Sequence, residues 1–235
     1  MKVPFYGLKS LNSEQIFLSE TESRHCIKVL RYKTGDKVYV LDGRGGLYYC
    51  SIINDNPKEC ILSVDSTDYK ENTFCSLHIV VAPPKNPDRL DWLIEKAVEM
   101  GASKISFIQS ERTIRKKIKL ERLERISISA MKQSCSRYKL IINDIEPLSN
   151  VLKNINSEQR FIAHLEKEKK VPIYSIFKPK KNTCILIGPE GDFTISEINM
   201  TLKNGFKSVC LGERRLRIET AVIMTIGAFN YVNGY

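Results

Sequence analysis

The sequence predicts an α/β fold: a mostly parallel sheet with helices on both faces, preceded by a small β-rich domain. Three observations lead there. From residue 77 onward, short continuous apolar runs alternate with helical patterns, as doubly buried strands alternate with crossover helices. Before residue 70 the runs are short, β-rich and separated by tight-turn residues. Between these regions the polar stretch Asp65 to Thr73 reads as a boundary, giving domains over 1–70 and 74–235.

In the first region Lys37 to Leu41, Gly46 to Ile53 and Glu59 to Val64 read as strands of a small barrel. Turn residues part them at Thr34-Gly35-Asp36, Asp42-Gly43-Arg44-Gly45-Gly46 and Asn54-Asp55-Asn56-Pro57. A helix around Glu22 to Leu30 comes first. In the second region Leu77 to Ala82 is a continuous apolar strand. Asn86 can cap the helix after it, Pro87 suits the first helical position, and Gly101 ends it. Within that helix Leu90, Leu93, Ile94, Ala97 and Val98 share one face. Lys104 to Gln109 reads as a strand and Leu120 to Ser134 as a helix. Leu140 to Ile145 is the next strand, with a short helix near Pro147 to Lys153. Arg160 to Leu165 and Thr183 to Ile187 follow as strands. Thr194 and Glu197 have capping-box spacing for a helix to about Lys203, which Gly205 stops. Lys207 to Leu211 is the last strand, and the last helix starts near Glu219.

The chain has 235 residues and a formal net charge of +10, from 37 Lys and Arg against 27 Asp and Glu. That excess points to an anionic partner, nucleic acid first, with a basic solubility surface as the plain alternative. No run approaches the roughly eighteen apolar residues of a membrane span, so no membrane partner is expected. The seven cysteines are scattered, with no Cys-x-x-Cys and no second ligand pair at zinc spacing. They read as reduced core thiols of a cytoplasmic protein without a metal site. Neither the Gly-x-Gly-x-x-Gly fingerprint nor the phosphate-binding loop ending in Gly-Lys-Ser/Thr occurs, and there is no Gly-x-Ser-x-Gly elbow. His78 and His164 lie in strand-like runs and read as core residues. His25, beside Arg24, Lys28, Arg31 and Tyr32, is the better functional candidate.

Two segments carry the chemistry: Gly188-Pro189-Glu190-Gly191-Asp192-Phe193 and Leu211-Gly212-Glu213-Arg214-Arg215-Leu216-Arg217-Ile218-Glu219-Thr220-Ala221. Each follows a buried-looking strand. In parallel sheets ligands bind at the carboxyl ends of strands, so both turns can line one pocket.

These residues resemble the RsmE family, S-adenosylmethionine-dependent methyltransferases of 16S ribosomal RNA within the SPOUT superfamily. Gly188-Pro189-Glu190-Gly191 resembles its first cofactor loop. Leu211-Gly212-x-Arg214-x-Leu216-Arg217-x-Glu219-Thr220-Ala221 resembles its second. His25-x-x-x-Val29-Leu30-Arg31-x-x-x-Gly35-Asp36 resembles its N-terminal, PUA-like RNA-binding domain. Lys85, Lys96-Ala97-x-Glu99-x-Gly101 and Ser110-Glu111-Arg112 resemble further family positions. Asp192 stands where the family more often has a second glycine, and Arg215 where an apolar residue is common. Gln133-Ser134-Cys135-Ser136-Arg137 fits the family's Gln-x-Gly-Arg pattern loosely.

The resemblance implies a C-terminal trefoil knot, a homodimer, and methylation of a uracil at N3 in 16S RNA of the small ribosomal subunit. It implies that Ile187, Gly188, Glu190, Gly191, Leu211, Gly212, Leu216 and Arg217 hold the cofactor. A uracil N3 must lose its proton before it can accept a methyl group. A cation near the ring carbonyls favours the anion, which assigns Arg217. Glu190 or Glu219 would orient Arg217 or accept the proton, and Glu219 can equally serve the helix dipole. Arg24, His25, Lys28, Arg31 and Arg112 would bind RNA, with Arg44, Lys85, Arg115, Lys116 and Lys117 extending the surface. The rival readings are a non-catalytic ribosomal RNA-binding or assembly factor, and a SPOUT methyltransferase of another RNA.

Overall fold

The apolar runs of the second region pair side by side, because each must bury both faces and satisfy its backbone in a sheet. The computed structural model describes residues 3–9, 14–73, 75–166 and 170–235. They form two compact units, Met1–Thr73 with Ile128–Lys139, and Phe74–Ser127 with Leu140–Tyr235.

The first unit holds β1 (Phe5–Tyr6), β2 (Gln15–Phe17), β3 (Lys37–Leu41), β4 (Gly46–Asn54) and β5 (Ile61–Tyr69) in one sheet of order β1-β3-β4-β5-β2. The pairs β3–β4, β4–β5 and β5–β2 are antiparallel, while β1 runs parallel to β3. The third expected strand begins two residues later than the pattern suggests and continues to Tyr69, into the polar stretch that reads as a boundary. Its second half is exposed, so ladder hydrogen bonds hold it without apolar side chains. Helix α1 (Glu20–Arg24) is capped by Ser19 and runs into a π-helical turn over His25–Val29. Cys26, Cys50 and Cys60 lie in the core with Phe5, Ile16, Val40 and Leu62. Burial pushes the Cys50 thiol up to about 12, as suits an inert core cysteine. Arg137 donates to the Asp68 carboxylate at 2.6 Å and to its carbonyl at 2.7 Å, a structural tie within this unit.

The second unit is built on a seven-stranded sheet of order β10-β12-β9-β11-β6-β7-β8. Its strands are β6 (Leu77–Val81), β7 (Lys104–Gln109), β8 (Ile141–Pro147), β9 (Gln159–Ala163), β10 (Val171–Pro172), β11 (Thr183–Ile187) and β12 (Lys207–Cys210). Every neighbouring pair is parallel. Its helices are α2 (Pro87–Glu99), α3 (Leu120–Ser134), α4 (Leu148–Lys153), α5 (Ile173–Ile176), α6 (Ile195–Lys203) and α7 (Ile218–Asn233). From residue 128 on, α3 belongs to the first unit. Central β11 is buried at every residue. Leu148, Val151 and Leu152 of α4 and Ile198 of α6 form a core cluster with Val80, Ile162 and Leu186 of the sheet. Helix α7 packs against α2, β6 and β11. The apolar face read for α2 is the buried one, and Asn86 caps it through the Asp88 N–H. Thr194 and Glu197 form both bonds of the capping box. Among the described residues no helix is long and apolar enough to cross a membrane.

His78 in β6 is half-buried, short of the core position that its strand-like surroundings predict. Its Nε2 lies 2.8 Å from Ser106 Oγ, which also accepts from Asn143 Nδ2 at 3.0 Å. Burial, helped by Lys104, pushes its pKa down from 6.5 to about 4. In that window the unfolded chain binds a proton that the folded chain refuses. Stability should therefore fall by about 2 kcal/mol as pH drops from neutral towards 4. Urea unfolding across that range should show the loss, and His78→Gln should remove this share of the slope.

Candidate active site

The carboxyl ends of three adjacent strands, β12, β9 and β11, open into one cleft of about 460 Å³. This is the edge at which a parallel sheet presents loops and helix N-termini to a ligand. Both glycine segments lie on it.

The first loop leaves β11 at Ile187 and turns back through Asp192 N–H, which donates to the Pro189 carbonyl at 2.9 Å. Gly188 leaves little room for a side chain, since a Cβ there would lie 3.0 Å from the ring of buried Phe193. Asp192 adopts φ +62°, the left-handed region that glycine enters freely and Asp or Asn at the least cost of the others. Its Oδ2 accepts from Leu165 N–H at 2.7 Å, which ties the loop to the end of β9. That bond gives the aspartate at this position a structural role. Below the loop, Arg112 Nη1 donates to the Gly191 carbonyl at 2.8 Å. Lys85 N–H donates to Glu190 Oε1 at 2.9 Å.

The second loop leaves β12 at Cys210. Gly212 takes φ +124°, where a side chain would be strained. Arg215, the other departure, donates from Nη2 to the Glu190 carbonyl at 2.8 Å and so joins the two loops. Arg217 is the N-cap residue of α7, but its side chain makes no capping bond and is exposed. Glu219 is buried in the first turn of that helix, where its charge suits the dipole. Its carboxylate pairs with Arg89 Nε at 3.6 Å.

Ile187, Gly188, Glu190, Leu211, Gly212, Leu216, Arg217 and Glu219 all line the cleft. Gly191 lies in the first turn, its carbonyl taken by Arg112. Arg24, His25, Lys28 and Arg31 stand together, exposed, at the end of α1, on the π-helical turn and just past it. Arg31 has φ +59°, and exposed Val29 and Leu30 sit among the basic residues. Sequence reading missed Arg89 and Lys170, which also line the cleft. Arg89 lies in the first turn of α2, after β6, and a strand-to-helix junction was the one signal available. His164 is buried, as its strand pattern predicts, yet it too lines the cleft, with Nε2 2.9 Å from Ser208 Oγ.

The RNA methyltransferase domain family matches residues 70–230. The RNA methyltransferase PUA domain family matches residues 18–65. A curated relative, the ribosomal RNA small subunit methyltransferase E of Buchnera aphidicola, is 30% identical over 99% of this chain and 95% of its own. The chain belongs to the small subunit methyltransferase E family. A probable rRNA-methyltransferase from Porphyromonas gingivalis is 34% identical, superposes with TM-score 0.91, and is matched over 99% of both chains. A family member from Neisseria gonorrhoeae, solved with bound S-adenosyl methionine, is 26% identical with TM-score 0.87, over 99% of this chain and 98% of its own.

The cleft of this family member suits such a cofactor. Its walls include the backbone of two glycine turns, at Gly188 and Gly212. Apolar Ile187, Leu211 and Leu216 share the lining with Glu190 and Glu213, whose carboxylates can accept from hydroxyl groups and pair with a cationic ligand.

Proposed function

We propose that this chain uses S-adenosylmethionine to methylate N3 of a specific uridine in 16S ribosomal RNA of the small ribosomal subunit. The observation that carries the reading is the convergence of two glycine loops on one cleft beside Arg217, whose exposed side chain makes no capping bond. When bound, the cofactor supplies an electrophilic methyl group on a sulfonium, so the protein needs to align the base and favour its deprotonated form.

Ile187, Gly188, Glu190, Gly191, Leu211, Gly212 and Leu216 are assigned to cofactor binding, with Arg217 at its edge. Arg217 places positive charge where the uracil carbonyls gain negative charge. Of the two candidate acids, Glu190 is exposed and bonded through only one oxygen to a backbone N–H, so it is the proposed proton acceptor. Glu219 is engaged by Arg89 and is not assigned the proton. Arg24, His25, Lys28 and Arg31 form the proposed RNA surface of the first unit. Arg112 keeps further guanidinium N–H groups for phosphate while one holds Gly191. The base must leave its stack to expose N3. A cytoplasmic homodimer is the proposed working form.

Calorimetry should show S-adenosylmethionine binding with a Kd of about a micromolar. Mass mapping of 16S RNA from cells lacking this protein should show one missing N3-methyluridine. No heat and no thermal shift with the cofactor would favour the non-catalytic RNA-binding reading instead. A lost methyl group elsewhere, on another RNA or a ribose hydroxyl, would overturn the substrate assignment.

A further inference from the structure

The cleft is lined by five basic side chains, Arg89, Lys170, Arg214, Arg215 and Arg217, and they fall into two groups. Lys170 Nζ donates to the His164 carbonyl at 2.5 Å and Arg215 to the Glu190 carbonyl. Arg89 pairs with Glu219. The Arg214 and Arg217 side chains make no hydrogen bond or ion pair among the described residues. Of the four carboxylates lining the cleft, Glu190 and Asp192 accept from backbone N–H groups, the exposed Glu213 side chain makes no hydrogen bond or ion pair among the described residues, and Glu219 is held by a side chain.

That pairing has a chemical consequence. Glu219 is 8% exposed, and a carboxylate so buried is costly unless a cation compensates it. Arg217 lies two residues before it and lines the same cleft. If Glu219 took Arg217, the charge proposed to act on the uracil ring would be cancelled within the protein. Arg89 prevents this from the first turn of α2, a helix packed against α7, whose first turn carries Glu219. At 3.6 Å the contact is an ion pair without a formal hydrogen bond. Its strength lies in charge, which a lysine can reproduce.

We propose that Arg89 is a positioning residue: by occupying Glu219 it keeps the Arg217 guanidinium uncompensated and available to the ionising base. The role rests on the proposed methyl transfer to N3 and assigns Arg89 no contact with the reacting atoms.

The test measures single-turnover methylation of small-subunit particles by the full chain from neutral to alkaline pH, with calorimetry for the cofactor. Arg89→Gln should lower the rate at neutral pH about tenfold, since a nearby cation moves an ionisation by about one pKa unit or more. The deficit should shrink as pH rises, because the base then ionises without help. Arg89→Lys should keep most of the rate. Adding Glu219→Gln to Arg89→Gln should restore much of the loss, because no carboxylate is left to neutralise Arg217. A merely structural role predicts the reverse: lower melting temperature, weaker cofactor binding and no recovery in the double variant. An Arg89→Gln rate equal to wild type at every pH, or a double variant no faster than the single one, overturns the proposal. A wild-type chain with neither cofactor heat nor methyl incorporation overturns the proposed function, and this role with it.

Discussion

Arg217→Ala should reduce methylation of the small-subunit RNA by about a hundredfold to a thousandfold, the usual effect of removing a preorganised charge from a developing anion. RNA affinity should change little, because the exposed basic cluster of the first unit, Arg24, His25, Lys28 and Arg31, is left intact. Folding should also be unaffected. The Arg217 side chain is exposed, caps nothing in α7 and has no partner among the described residues, so its removal opens no cavity and breaks no bond. Single-turnover methyl transfer and filter binding on the same particles separate the two effects. Near-normal turnover would take Arg217 out of the reaction. A parallel loss of RNA affinity would make it a substrate-binding residue instead.

Gly188→Val should abolish measurable cofactor binding and destabilise the fold by about 1–3 kcal/mol, the range for overpacking a rigid site. A Cβ at this position would lie 3.0 and 3.1 Å from ring atoms of Phe193 and 3.3 Å from its backbone nitrogen. Phe193 is fully buried in the cluster with Val80, Ile108 and Leu186, so it has little room to give way to the larger valine. The first loop would have to move instead, and with it the contacts of Glu190 and Asp192 to Lys85 and Leu165. Gly205→Ala is the matching control. Gly205 has φ +82° but a Cβ there would meet nothing within 4 Å, so the change should cost about 1 kcal/mol of backbone strain and leave cofactor affinity unchanged. Thermal melts and calorimetry on both variants check this. Cofactor binding by Gly188→Val at wild-type affinity would show that the turn is not part of the binding site.

Much of the architecture was legible because it rests on local signals. The buried face of α2, its Asn86 cap and the Thr194–Glu197 capping box depend on residues within a turn or two of each other. The continuous apolar runs at Leu77–Val81 and Thr183–Ile187 announced strands buried on both faces. The strands β1, β2 and β10 were not legible. They are two or three residues long, too short to show a period. Nor did any pattern show that residues 128–139 pack with the first unit, where Arg137 holds Asp68.

The two glycine loops and the charges on them could be read from the chain alone, because tight turns and close backbone approach demand particular residues at particular positions. Which side chain answers which charge could not. Asp192 meets Leu165, Arg215 meets Glu190 and Arg89 meets Glu219 only because strand order brings β9, β11 and β12 together and packs α2 on α7. An ion pair depends on distance in space, and for residues far apart along the chain the packed sheet and its helices set that distance. The sequence therefore carried the chemical inventory of the cleft, and tertiary packing decided that Arg217 is a cation left without a partner among the described residues.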